Sequence, residues 1–108
     1  MDIERKRGDT YPIEIIVNSN GSPLNISGAS FVLTVDPSKT PVDNTNNLFA
    51  LTGTITDAPG GRVSFTPTEL QADHVGRFFH DIQMTDGSGA KRTIDSGKFT
   101  FTQDITKV

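Results

Sequence analysis

Few side chains in this 108-residue chain are of a type that does chemistry. They are His74 and His80, a scatter of carboxylates towards the C-terminus, and the run Gly87-Ser88-Gly89-Ala90-Lys91. A histidine beside a carboxylate is the usual general acid–base pair, and Asp81, Asp86, Asp95 and Asp104 fall on or beside the last two expected strands. Glycoside hydrolysis needs two acids across a cleft, held at different pKa values, and nothing in this spacing marks a cleft. A Gly-x-Ser-x-Gly elbow, the trace of a serine nucleophile, is absent. A phosphate loop would follow its lysine with Ser or Thr at a helix start, but Arg92 follows Lys91. Asp86-Gly87-Ser88-Gly89 lacks the oxygen ligands and closing Glu of a calcium loop, and it reads as a hairpin turn. No catalytic residue, metal site or cofactor is expected. His80 is placed on the apolar face of a strand and His74 in a solvated turn.

Surface recognition is the chemistry that remains. Arg5-Lys6-Arg7 is the only dense basic run, placed on an N-terminal arm (residues 1–9) that meets an acidic partner surface or stays solvated. Tyr11 is the only tyrosine and Trp is absent, so a sugar platform of exposed rings is disfavoured. Among the seven phenylalanines Phe79 is the best outward candidate, with Asp81 beside it on the same face. The candidate partner-contact residues are therefore Arg5, Lys6, Arg7, Tyr11, Phe79 and Asp81. Arg7-Gly8-Asp9 spells an integrin signal, yet it directly precedes an alternating segment. It reads as the joint between arm and first strand, with Gly8 a flexible link and Asp9-Thr10 a local turn.

The elements that must carry these residues are strands. Tyr11, Ile13, Ile15 and Val17 alternate, and Pro12 puts that strand at a sheet edge. Asn18 to Pro23 is a cluster of turn formers. Phe31, Leu33 and Val35 share a face of the next strand, which Asp36-Pro37 ends. Asp36 to Asn47 is expected to be the longest and most mobile loop. Leu48–Thr56 and Arg62–Thr66 read as two further strands, and Thr68 as the cap of a short helical turn anchored by Leu70. Phe78, His80, Ile82 and Met84 mark the inner face of a central strand. A hairpin at Asp86–Gly89 returns along Lys91 to about Ile105, with Gly97 as a bulge.

Composition agrees with that pattern. The length allows one core and no more. With no Cys, neither a disulfide nor a Cys/His metal site can staple it. A net charge of −3 lacks the basic footprint of a nucleic-acid binder. No apolar run reaches the ~20 residues of a membrane span, and no signal-peptide pattern opens the chain, so a soluble protein made in a cytosol is expected. Asn20-Gly21-Ser22 and Asn25-Ile26-Ser27 match the glycosylation pattern by chance in such a chain. The expected fold is all-β, a single Ig-like antiparallel β-sandwich of about six to seven strands over residues 10–106, with one short helical turn.

The order of these motifs resembles a group of small Ig-like β-sandwich modules in tailed-phage virion proteins, among them the N-terminal domain of siphophage upper-baseplate proteins. The resemblance rests on Arg7-Gly8-Asp9-Thr10 before an alternating strand, Asn20-Gly21-Ser22-Pro23-Leu24, and Leu24-Asn25-Ile26-Ser27-Gly28-Ala29. It continues through Gly61-Arg62-Val63-Ser64-Phe65, Gly76-Arg77-Phe78-Phe79-His80-Asp81-Ile82, Gly97-Lys98-Phe99-Thr100-Phe101 and Asp104-Ile105-Thr106. It implies a non-enzymatic structural protein of the virion, as a baseplate, tail or capsid-decorating subunit. Its partners would be other virion structural proteins in a symmetric, multi-copy assembly, met through edge strands, termini and the Asp36–Asn47 loop. Neither membrane nor nucleic acid is an expected partner. A host-receptor or carbohydrate-binding module of a phage adhesion device is the alternative.

Overall fold

In the computed structural model, residues 1–39 and 47–103 are described. The centre of the expected Asp36–Asn47 loop and the closing Asp104-Ile105-Thr106 lie outside them. The described residues form ten strands: β1 (Ile3–Lys6), β2 (Ile13–Ile16), β3 (Asn18–Ser19), β4 (Ser22–Pro23), β5 (Ser30–Asp36), β6 (Phe49–Thr52), β7 (Thr54–Asp57), β8 (Arg62–Phe65), β9 (Gly76–Thr85) and β10 (Lys91–Thr102). A five-stranded sheet has the order β1-β10-β9-β5-β6, a three-stranded sheet the order β2-β8-β7, and β3-β4 is a separate small ribbon.

The all-β sandwich is as the alternation requires. Phe31, Leu33 and Val35 from β5, Ile82 and Met84 from β9, and Phe99 and Phe101 from β10 are all buried. They form one core with Ile13, Val63 and Phe65 of the smaller sheet. Pairing continues across the large sheet in register, Leu33 beside Leu51 on one side and Ile82 on the other. Rings close one end, with Phe49 edge-on to Phe99 at 6.1 Å and Phe101 tilted over Phe99 at 5.0 Å. Such ring pairs add about 0.5–1.5 kcal/mol each beyond their burial.

Five expectations need correction. Residues 1–9 are not an arm ahead of the first strand: Ile3–Lys6 is itself β1, with Ile3 and Arg5 buried. The sandwich is not purely antiparallel, because β1 runs parallel to β10, Ile3 beside Phe99 and Lys6 beside Thr102. Leu48–Thr56 is not one strand. Gly53 breaks it, and the chain there leaves the large sheet as β6 and enters the small one as β7. The irregularity in β10 lies between Thr93 and Asp95, not at Gly97. A Cβ on Gly97 would instead meet the Met1 carbonyl oxygen at 2.5 Å, so this glycine makes room for the N-terminal segment.

The fifth concerns the turn after β8. Thr68 N–H donates to Gln71 Oε1 (2.9 Å), and Gln71 N–H donates to Thr68 Oγ1 (3.1 Å). This reciprocal capping box closes a single turn through Ala72 N–H to Thr68 C=O at 3.0 Å. Its anchor is Ala72, fully buried, whereas Leu70 is 81% exposed. In a turn one residue in four faces the core, and here that position falls two residues after the leucine.

Candidate functional site

The six candidate contact residues divide between two places. Arg5, Lys6, Arg7 and Tyr11 surround the crossing from β1 to β2. Phe79 and Asp81 lie on the outer face of the large sheet.

At the crossing, Arg5 follows the inward alternation of β1 and is 6% exposed. Its guanidinium lies 3.4 Å from the centre of the Tyr11 ring and donates to the Tyr11 carbonyl oxygen. Burial lowers its pKa from the ordinary value, and a guanidinium stays charged regardless. Arg5 is thus a structural cation inside the fold, not an open contact, and Tyr11 is its lid with an exposed outer side. Lys6 points to solvent. Arg7 is half-buried, its Nε 3.7 Å from Asp73 Oδ1.

The Arg7-Gly8-Asp9 segment is a tight turn pinned on both sides. Asp9 N–H donates to Lys6 C=O (3.2 Å) and Gly8 N–H to Ala72 C=O (2.8 Å). Gly8 has φ 82°, a conformation that other residues adopt only with strain. The glycine therefore fixes a tight reversal and is not a flexible link.

On the outer face, Phe79 is half-buried and Asp81 exposed. Register sets Thr34, Asp81 and Ser96 side by side, and likewise Asp36, Phe79 and Lys98. Together with Val32, Ala50 and Gln83 they line an open groove of about 820 Å³. Small residues on β5 and β6 make this depression: Thr34 and Ala50 pair where longer side chains would fill it. Asp36 at its end is buried. Its Oδ1 accepts Ser38 N–H at 2.7 Å, and its Oδ2 makes no hydrogen bond. At the opposite end Asp2 Oδ1 accepts Lys98 N–H at 3.0 Å, and that bond holds its carboxyl below the usual range.

Of the histidines, His80 also borders the groove, from within the fold, and His74 follows the capped turn after β8. His80 is buried against Phe99 (5.9 Å between ring centres), and neither ring nitrogen has a hydrogen-bond partner. Desolvation lowers its pKa, against the opposing pull of Asp95. Successive residues on β9 face opposite sides, so His80 and Asp81 are not a pair. His74 is half-buried, its ring near Phe78 and Phe101. Among the described residues no three His, Asp or Glu side chains converge as metal ligands. What the two places offer is a surface: an open groove lined by polar and apolar groups alike, and a joint that holds a buried cation.

Asp36 and the groove's small floor were missed from sequence. Their signal was the Thr34–Asp36 parity opposite Phe31–Val35, which marks the outer face once β5 is known to be central.

Residues 2–107 match the model of the BppU N-terminal domain, that of the phage baseplate upper protein. The chain belongs to this family, a phage baseplate protein module. Among solved structures, the N-terminal domain of phage TP901-1 ORF48 is similar in fold at 12% identity and a TM-score of 0.61. That match covers 94% of this chain and 82% of the other. CopC from Methylosinus trichosporium OB3b is similar at 7% identity and a TM-score of 0.56, over 99% and 89% of the two chains. At these identities both neighbours speak for the fold alone. No curated protein matches the chain.

Proposed function

We propose that this chain is a non-enzymatic assembly subunit of a tailed-phage particle. It occupies the virion in several copies, docked to neighbouring structural proteins through its edge strands and terminal segments. The observation that carries this reading is the family match over residues 2–107, on a fold whose two main sheets, among the described residues, both end in open edge strands. An open edge offers main-chain donors and acceptors to a second chain without any special side chain. Repetition around a symmetry axis turns contacts of that kind, individually weak, into firm attachment. Lys6, Arg7, the outer side of Tyr11, Phe79 and Asp81 are the side chains assigned to partner contact; Arg5 supports them from within.

Peptide mass spectrometry on density-purified particles tests this. The protein should be present in stoichiometric excess over one copy per particle. Finding it only in the lysate would overturn the reading.

A further inference from the structure

Among the described residues the two main sheets leave four edges without a paired strand, at β1, β6, β2 and β7. Each of these strands has four residues, so length does not distinguish them. Their protection against pairing does. β1 reads Ile3-Glu4-Arg5-Lys6, three charges in succession. β2 is preceded by Pro12, which has no N–H, and carries Glu14. β7 is distorted by an irregularity between Ile55 and Asp57. Charge, proline and bulges are the devices by which sheets keep an edge from joining another chain. β6 reads Phe49-Ala50-Leu51-Thr52 and has none of them.

The hydrogen-bond pattern shows which groups β6 presents. Gly53 N–H donates to Phe31 C=O at 2.8 Å, and the antiparallel register pairs Leu33 with Leu51 and Val35 with Phe49. Main-chain groups in such a pair point alternately towards and away from the neighbour. Those of Phe49 and Leu51 thus face β5, and those of Ala50 and Thr52 face outwards. Both residues are exposed, and no strand among the described residues pairs with that side.

We infer that the free edge of β6 is the docking edge, and that its occupant is an extended strand from a different virion chain. This deepens the assembly reading above and rests on it. A strand added here would continue both faces of the large sheet. On its inner face it would extend the layer of Phe49 and Leu51 and therefore needs apolar residues. On the outer face its intervening side chains would lie beside Ala50 and Thr34, over the groove that contains Phe79 and Asp81. Those positions take long or polar side chains. A second copy of β6 fits less well, because it would set Ala50 or Thr52 against the groove and leave it unfilled.

Hydrogen exchange on the assembled particle tests the assignment. The amides of Ala50 and Thr52 should exchange about tenfold or more slowly in particles than in free protein. Those of Glu14 and Ile16, which face outwards on β2 by the same alternation, should not change. Ala50→Pro removes an N–H that no internal bond uses, so the variant should keep its far-UV spectrum and fail to enter particles. Unprotected Ala50 and Thr52 amides in incorporated protein would overturn the edge assignment, as would protection at Glu14 and Ile16 alone or normal incorporation of folded Ala50→Pro. Absence of the protein from particles would instead remove the assembly reading on which the assignment rests.

Discussion

The guanidinium of Arg5 lies over the ring of Tyr11, 3.4 Å from its centre, and donates to the carbonyl of the same residue. One residue belongs to the large sheet and the other leads into the small one, so the pair joins the two layers at the Arg7-Gly8-Asp9 turn. A cation over an aromatic face contributes about 0.5–2 kcal/mol depending on its desolvation. Tyr11→Ala should therefore lower stability by about 1–2 kcal/mol in urea denaturation, while Tyr11→Phe, which keeps ring and carbonyl, should stay close to the parent.

Gly53 marks the point where the chain passes between sheets. A Cβ there would lie 2.7 Å from Val63 Cγ1 and 2.9 Å from both Phe31 Cβ and Phe65 Cε1. All three neighbours are buried and held by the core. Gly53→Ala should cost about 1–3 kcal/mol through overpacking, measured as a fall in denaturation midpoint with unchanged slope.

These two sites show what could be read from sequence. β5 and β9 were legible because Phe31, Leu33 and Val35, and His80, Ile82 and Met84, alternate cleanly in the strands that lie inside the sheet. β1 was not, because Glu4, Arg5 and Lys6 obscure its period and its partner is almost a hundred residues away. Only tertiary burial of Arg5 under Tyr11 reconciles that charge with a strand. Gly53 was hidden for a related reason. Alternation continues on both sides of it, and the change of sheet leaves no mark in local pattern. At the candidate site, Phe79 and Asp81 followed from the parity of β9. The groove around them depended on Thr34 and Ala50 meeting across two strands, which spacing along the chain does not reveal.

His80 sets a pH dependence. Its folded pKa is lowered by desolvation, so the folded state favours the neutral ring, and the unfolded ring titrates near ~6.5. In that window the unfolded chain binds more protons, and stability rises with pH. The denaturation midpoint should be level above about pH 7 and fall as pH drops below ~6.5. His80→Leu should flatten that fall. An unchanged slope in the variant would assign it to another group.

The turn after β8 offers a paired test. Thr68→Ala removes the hydroxyl of the capping box and should cost about 0.5–2 kcal/mol. Leu70→Ser changes a side chain that is 81% exposed and should leave stability within ~0.5 kcal/mol. Thermal melts of both variants compare them directly.

The claim that this chain is a virion assembly subunit is tested most directly by a cryo-EM map of the purified particle. The account predicts repeated density for the two-sheet module, related by the particle's symmetry, with a strand of a neighbouring chain along Phe49–Thr52. A complete map of the particle with no density that fits the module would contradict it.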